Sequence, residues 1–307
     1  MPRVAHHLYL IAAVAAALLA RAAAAELTDA DLKRMRAETR VALVIGNGNY
    51  RNFQRLDNPV NDATGVAAAL RAAGFNVTLK LDAAHADMNQ ALDAFAEDSR
   101  SADVALFYFA GHAAQVDWRN FILPVAANLD ASKGAASELV RQVAQESVDL
   151  AEVLKRLEGR KNRLNIVILD ACRDNPFTSA ALEVSRSLSR STGKAPFTIG
   201  VGLAQSFAPS GTFLAYSTAP GQVASDGTGR NSPYSAALID ALAQPGLKLE
   251  EVFKRVRNSV AAATANQQVP WDNSSVFREF YFRIPASLEA VNPSAKKRDI
   301  NTTFVSP

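Results

Sequence analysis

Three uninterrupted apolar runs constrain this chain more than any other feature: Val41-Ala42-Leu43-Val44-Ile45, Val104 to Phe109, and Ile166-Val167-Ile168-Leu169. A short strand that is apolar at every position has no face for water and must be covered on both sides, as central strands of parallel sheets are. The first run stops at Gly46-Asn47-Gly48-Asn49, the second at Ala110-Gly111-His112, the third at Asp170-Ala171-Cys172. Between them lie segments of helical spacing: residues 60–73, with Val60, Ala63, Ala67 and Leu70 on one face and Gly74 as the stop; the face Met88, Leu92, Phe95 and Ala96; and residues 146–158. Phe75 to Leu81 reads as a further strand. Strands alternating with helices across short joints predict an α/β fold with a mostly parallel central sheet and helices on both faces.

The second half begins irregularly. Residues 173–210 contain a Ser/Arg-rich stretch from Ser185 to Ser191, with Pro176, Pro196 and Pro209 and several glycines, and no periodicity. They are expected to form a long exposed loop, and loops of that length in a compact domain are commonly functional. Regular structure resumes with a strand at Phe213–Tyr216, helices from Ser232 to Leu242 and from Leu249 to Ala263, and a last strand from Val276 to Phe282. The domain is thus placed at 41–285, after a charged helical lead-in at 26–40 and before a polar tail at 286–307. With 49% hydrophobic and 21% charged residues the chain can bury a large core, which excludes global disorder.

Residues 1–25 read as a secretory signal peptide. Arg3, His6 and His7 precede an apolar run from Leu8 to Ala20, and Ala23-Ala24-Ala25 offers small residues for cleavage. The run is shorter than the roughly 20 residues a membrane span needs. The expected product is exported, periplasmic or secreted; retention as an N-terminal membrane anchor is the alternative. Removing these residues takes away Arg3 and Arg21 and no acid, so the net charge falls from +3 to +1 and no nucleic-acid footprint remains.

Ligands of a parallel α/β sheet gather at the carboxyl ends of its strands. There the pattern delivers His112 and Cys172, the one cysteine of the chain. A lone cysteine excludes an internal disulfide framework and a multi-cysteine zinc site. Taken singly, Cys172 could be a buried small hydrophobe and His112 a structural histidine. Together at neighbouring strand ends they form a candidate nucleophile and base. Gly46-Asn47-Gly48 lacks both the lysine of a phosphate loop and dinucleotide-binding spacing.

The motifs around these residues resemble the caspase-like cysteine peptidases, in particular the bacterial metacaspase/orthocaspase group. They are Val41 to Asn47 with Tyr50, Leu56-Asp57-Asn58-Pro59-Val60-Asn61-Asp62, Phe107 to His112, Leu169-Asp170-Ala171-Cys172-Arg173-Asp174-Asn175-Pro176-Phe177, Ala215 to Gly221, Asn231-Ser232-Pro233-Tyr234, and Gln267-Gln268-Val269-Pro270-Trp271. Each is short, but they follow in family order from Val41 to Phe282, and 60 residues separate His112 from Cys172, against about 50 in the family signature. The resemblance implies the caspase-like three-layer fold and a dyad in which Cys172 attacks a peptide carbonyl while His112 assists its deprotonation and protonates the leaving amine. Backbone N–H groups of Ala113 and Cys172 would hold the oxyanion. The family usually has glycine where this chain has Ala113; if that position needs positive φ, alanine carries a steric cost. A caspase-like binding or scaffold module without turnover is therefore the alternative function.

The resemblance also places substrate-binding residues. Animal caspases read aspartate at P1 with a glutamine two residues before the nucleophile, where this chain has Asp170, and with an arginine five residues after a Pro-Gly pair, where counting from Pro220-Gly221 reaches Asp226. The acid that metacaspases carry in the early loop matches Asp62. Three acids in these positions imply a basic P1 side chain, arginine or lysine, on a peptide or protein substrate. Locally, Asp62 could instead cap a helix and Asp226 could serve only as a turn residue. Arg173, Arg186, Arg190 and Lys194 would give such an enzyme places to cut itself in the loop; a merely solvated loop is the alternative. No cofactor is implied. Some metacaspases use calcium, but no oxygen-ligand loop of recognisable spacing is present.

Overall fold

The computed structural model describes residues 28–129, 136–158, 164–172, 199–200, 203–220, 222 and 224–285. The chain forms two units, one of Met1–Ala37 with Pro285–Pro307 and one of Glu38–Ile284. Of the first, the described part is a helix, α1 (Asp29–Arg36), started by a capping box between Thr28 and Asp31. The signal-peptide segment and the tail lie outside the described residues. Among the described residues no helix is long and apolar enough to cross a membrane.

The second unit is the α/β domain the apolar runs predict. Its sheet has the order β2 (Asn76–Leu81), β1 (Arg40–Gly46), β3 (Val104–Val116), β6 (Leu164–Cys172), β8 (Thr212–Tyr216), β9 (Trp271–Ser274). Every neighbouring pair is parallel except β8 and β9. Pleating sends alternate residues of the apolar runs to opposite faces. Ala42, Val44, Leu106, Tyr108, Ile166 and Ile168 pack in one core with α2 (Pro59–Ala72), α6 (Pro233–Leu242) and α7 (Leu249–Ala263). Leu43, Ile45, Phe107, Phe109, Val167 and Leu169 pack in the other with α3 (His85–Asp98) and α5 (Leu150–Leu157). Helices on both faces make the three layers.

Four sequence readings need correction. The third strand does not end at His112. It continues to Val116, and beyond His112 it exchanges its parallel partners for antiparallel pairing with β4 (Arg119–Ile122) and the two-residue β7 (Ile199–Gly200). Gly111, at φ +148°, gives the backbone the freedom to make this exchange. The helix read at 146–158 is divided: α4 (Ala136–Glu146) ends, β5 (Val148–Asp149) pairs with β4, and Asp149 then caps α5 by accepting from Ala151 N–H. The closing strand is Trp271–Ser274 rather than Val276–Phe282. Its polar residues earn pairing at the sheet edge, whereas Phe280 and Phe282 serve as core plugs, with one isolated bridge from Tyr281 to Lys248. Finally, the exposed loop expected through 210 is packed at its end. Leu203 and Ala204 are buried, and the Asn120 side chain both donates to and accepts from the Ala204 backbone. Residues 173–198, with the basic positions expected there, lie outside the described residues.

Candidate active site

The parallel register of β3 and β6 makes His112 and Cys172 direct partners across the two central strands. Adjacent strands run about 5 Å apart, so the two backbones are neighbours at the carboxyl edge. The chain separates these residues by 60 positions and the sheet reunites them.

His112 is held on three sides. Its backbone N–H donates to Tyr50 Oη at 2.8 Å, and the Tyr50 ring lies 4.5 Å from the imidazole, centroid to centroid. The Phe53 ring stands edge-on at 6.4 Å. Its Nε2 lies 2.8 Å from the Gln54 carbonyl oxygen. A carbonyl only accepts, so Nε2 carries the proton and the basic lone pair of the neutral ring is on Nδ1. Gln54 thus orients the base, a role invisible in sequence because it belongs to a main-chain oxygen. In sequence Tyr50 is only part of a motif; the structure shows why a phenol is there, since its hydroxyl also donates to the Leu123 carbonyl at 3.2 Å.

Ala113 is buried in the strand and is not among the residues at positive φ. The left-handed demand falls two residues earlier, on Gly111, where a Cβ would stand 2.6 Å from Tyr50 Oη. The cost anticipated for alanine therefore does not arise. Leu123 N–H donates to the His112 carbonyl, and strand alternation then turns the Ala113 N–H to the opposite edge of β3, the one shared with β6 and β7.

The structure brings two of the three acids together and places the third beside them. Asp62 is on α2 but does not cap it. Asn58 holds the cap position, and Asp62 is buried a turn later, its Oδ1 accepting from Asn231 Nδ2 at 2.8 Å and Ser232 N–H at 3.0 Å. Asp170, at the end of β6, receives the Ser232 and Ser235 hydroxyls on Oδ2, both at 2.6 Å, with Ser217 a third hydroxyl close by. Ser232 is itself the cap of α6, accepting from Ser235 N–H. Tyr108 Oη lies 2.6 Å from Ser235 Oγ. Since that hydroxyl spends its proton on Asp170, Tyr108 is the donor. Asp226 is half-buried in a turn and accepts from Asp57 N–H at 3.1 Å.

Burial, then the charge of Asp170, pushes the Asp62 carboxyl up to about 8. Burial raises Asp170 and Asp226 as well, against the hydrogen bonds that favour their ionised forms. None of the ion pairs among the described residues uses any of these three acids. Beside them opens a cavity of about 800 Å³, lined among others by Gln54, His112, Asp226, Asn231 and Gln268. His112 and Asp226 face it directly, while Asp62 and Asp170 stand behind Asn231 and Ser232. In sequence Asn231, Ser232 and Gln268 are only motif letters, and Ser235 belongs to no motif. Gln268 fixes the turn carrying Asp226 by accepting from Ser225 N–H and donating to the Ser217 carbonyl. Among the described residues no group of three or more His, Cys, Asp or Glu side chains is arranged to hold a metal ion.

A mostly parallel sheet that pairs a histidine and a cysteine across adjacent central strands is the arrangement of a caspase-like hydrolase domain. The chain belongs to the family described as Caspase domain, which it matches over residues 39–281. It is similar to the Mucosa-associated lymphoid tissue lymphoma translocation protein 1 of Homo sapiens, 31% identical over 137 residues, and to the homolog of that protein in Mus musculus, 30% identical over the same length. Those matches cover 45% of this chain and 15% of each relative.

Proposed function

We propose that the protein is a cysteine endopeptidase that hydrolyses peptide bonds after arginine or lysine by a Cys172–His112 dyad. The observation that carries this reading is the β3–β6 register pairing of the two residues, with the imidazole anchored through Nε2 so that Nδ1 is its base. The Cys172 thiolate attacks the scissile carbonyl carbon, and the carbonyl oxygen becomes an oxyanion received by the backbone N–H groups of Ala113 and Cys172. Collapse breaks the C–N bond, His112 gives the leaving amine its proton, and an acyl-thioester remains. Water, deprotonated by His112, then releases the acid and restores the thiol. The acids Asp62, Asp170 and Asp226, buried or half-buried without a paired cation among the described residues, support a basic side chain at P1. Arginine should be preferred to lysine because a planar fork suits more than one carboxylate oxygen.

The test is a scan of fluorogenic peptides varied at P1, with and without calcium, on the unmodified protein and on Cys172→Ala. Cleavage after arginine, then lysine, none after aspartate, and none by the variant is expected. Undiminished turnover by Cys172→Ala would remove the dyad, and equal cleavage after aspartate and arginine would remove the pocket assignment. Labelling of Cys172 by a thiol-reactive probe that depends on His112 would favour the enzyme; labelling indifferent to His112, without any turnover, would favour the binding-module alternative. Export is proposed on the same footing, its test being the intact mass of protein from the exported fraction, expected to lack residues 1–25.

A further inference from the structure

Asp62 and Asp170 are distant in sequence and meet through one residue. Ser232 gives its backbone N–H to Asp62 and its hydroxyl to Asp170, so the two carboxylates are fixed on either side of a single helix cap. Both are more than nine-tenths buried. Oδ2 of Asp62 receives no hydrogen bond among the described residues, its two donors both falling on Oδ1. The titratable groups that act on the pair come from every surrounding element: Asp226 from its turn, Tyr108 from β3 and Tyr234 from α6, with Asp57 and His112 acting in turn on Asp226. Asp272 and Arg257 act in turn on Tyr234; of all these groups only His112 and Arg257 can be cations, and Arg257 is already paired with Asp272. Carboxylates crowded out of water without a cation do not all ionise, and the pair retains a proton.

We propose that recognition of a basic side chain in this pocket is an exchange: the Asp62–Asp170 pair, bridged by Ser232, holds a proton when empty and releases it when a guanidinium or ammonium arrives. This rests on the basic-P1 reading and adds a mechanism to it. The incoming cation supplies the positive charge that the proton supplied, so the wall is close to neutral relative to its resting state before and after binding. A neutral side chain of the same shape has nothing to exchange. Burial already holds Asp62 protonated up to about pH 8, so affinity for a cation rises with pH below that value and levels off above it. Ser232 is a positioning residue in this scheme.

The test uses the full chain carrying Cys172→Ala, titrated calorimetrically with acetyl-argininamide and with its uncharged isostere acetyl-citrulline amide, in buffers of different ionisation enthalpy from pH 6 to pH 9. Release approaching one proton per arginine probe at pH 6–7, fading by pH 9, is expected, with affinity gaining up to tenfold per pH unit in the lower range. The citrulline probe should show neither effect. Asp62→Asn on the same background should flatten the arginine profile. Arginine binding that is tighter than citrulline binding yet exchanges no proton would overturn the proposal and leave the basic-P1 reading standing. Equal binding of the two probes, or binding of neither, would overturn both.

Discussion

Asp62 makes the cost of burying a carboxyl beside a second one measurable. Its pKa is raised from 3.8 to about 8 by burial and then by Asp170, so between those values the native state keeps a proton that the unfolded chain has lost. The native state binds more protons there, and its stability falls as pH rises from about 4 to about 8, then levels off. Asp62→Asn keeps an acceptor for Asn231 and Ser232 and removes the titration. It should stabilise the empty protein at pH 8 by about 2 kcal/mol or more, with little effect at pH 4.5, as read from thermal melts at the two pH values. Tyr50→Phe tests the histidine's support. It leaves the buried His112 N–H without the Tyr50 acceptor, and should cost about 1–3 kcal/mol in denaturant unfolding and lower kcat more than it raises KM. At this scale the sequence offers candidates where chemistry depends on side-chain type, as with Cys172, His112 and the three acids. It was silent where the work is done by a backbone carbonyl, as at Gln54, or by a common serine, as at Ser232, whose two bonds exist only once α6 is docked.

Among elements, β3 decides the site. A strand read as ending at its glycine instead passes through it, because Gly111 adopts φ +148° and lets the segment leave parallel pairing and enter a second, antiparallel ladder. Turn signals in sequence do not distinguish a strand that stops from one that changes partners; the pairing decides it, here with β4 in a hairpin and with the distant β7. Gly111→Ala sets a Cβ 2.6 Å from the Tyr50 hydroxyl in a conformation L-residues avoid. We expect a loss of about 2 kcal/mol or more and a drop in turnover, since the shifted residue adjoins His112. Ala113→Gly should leave kcat within about threefold and cost roughly 0.5–1 kcal/mol in the strand. A large gain in kcat from that glycine would mean that the position does demand unusual backbone. The central strands and the helices on their faces were legible because burial on two sides or on one stripe is written as periodicity. The polar edge strand β9 was not, since the pairing that makes Trp271–Ser274 a strand comes from β8.

For the caspase-like domain as a whole, a buried charge cluster joins its beginning to its end. Arg40, at the first residue of β1, donates to the carbonyls of Ala73 and Phe282 and to Glu38, lies 4.7 Å over the Phe280 ring, and shares Glu38 with Arg278. Arg40→Met should lower stability by about 3 kcal/mol, equivalent to roughly 6–12 °C in Tm for a domain of this size, while leaving kcat unchanged, since the cluster is remote from the carboxyl edge. Unlike the sheet, this clasp has no sequence signature: Glu38, Arg40 and Arg278 look like ordinary surface charges until the ends meet. The acidic wall has the same dependence on long-range closure, its parts being supplied by α2, β6 and the first turn of α6. A ribosome has made nearly the whole domain before those parts can coexist. If the pocket reads a basic side chain as proposed, recognition there is a coincidence detector for completed folding, and a chain arrested before α6 docks has a nucleophile but nothing to tell it where to cut.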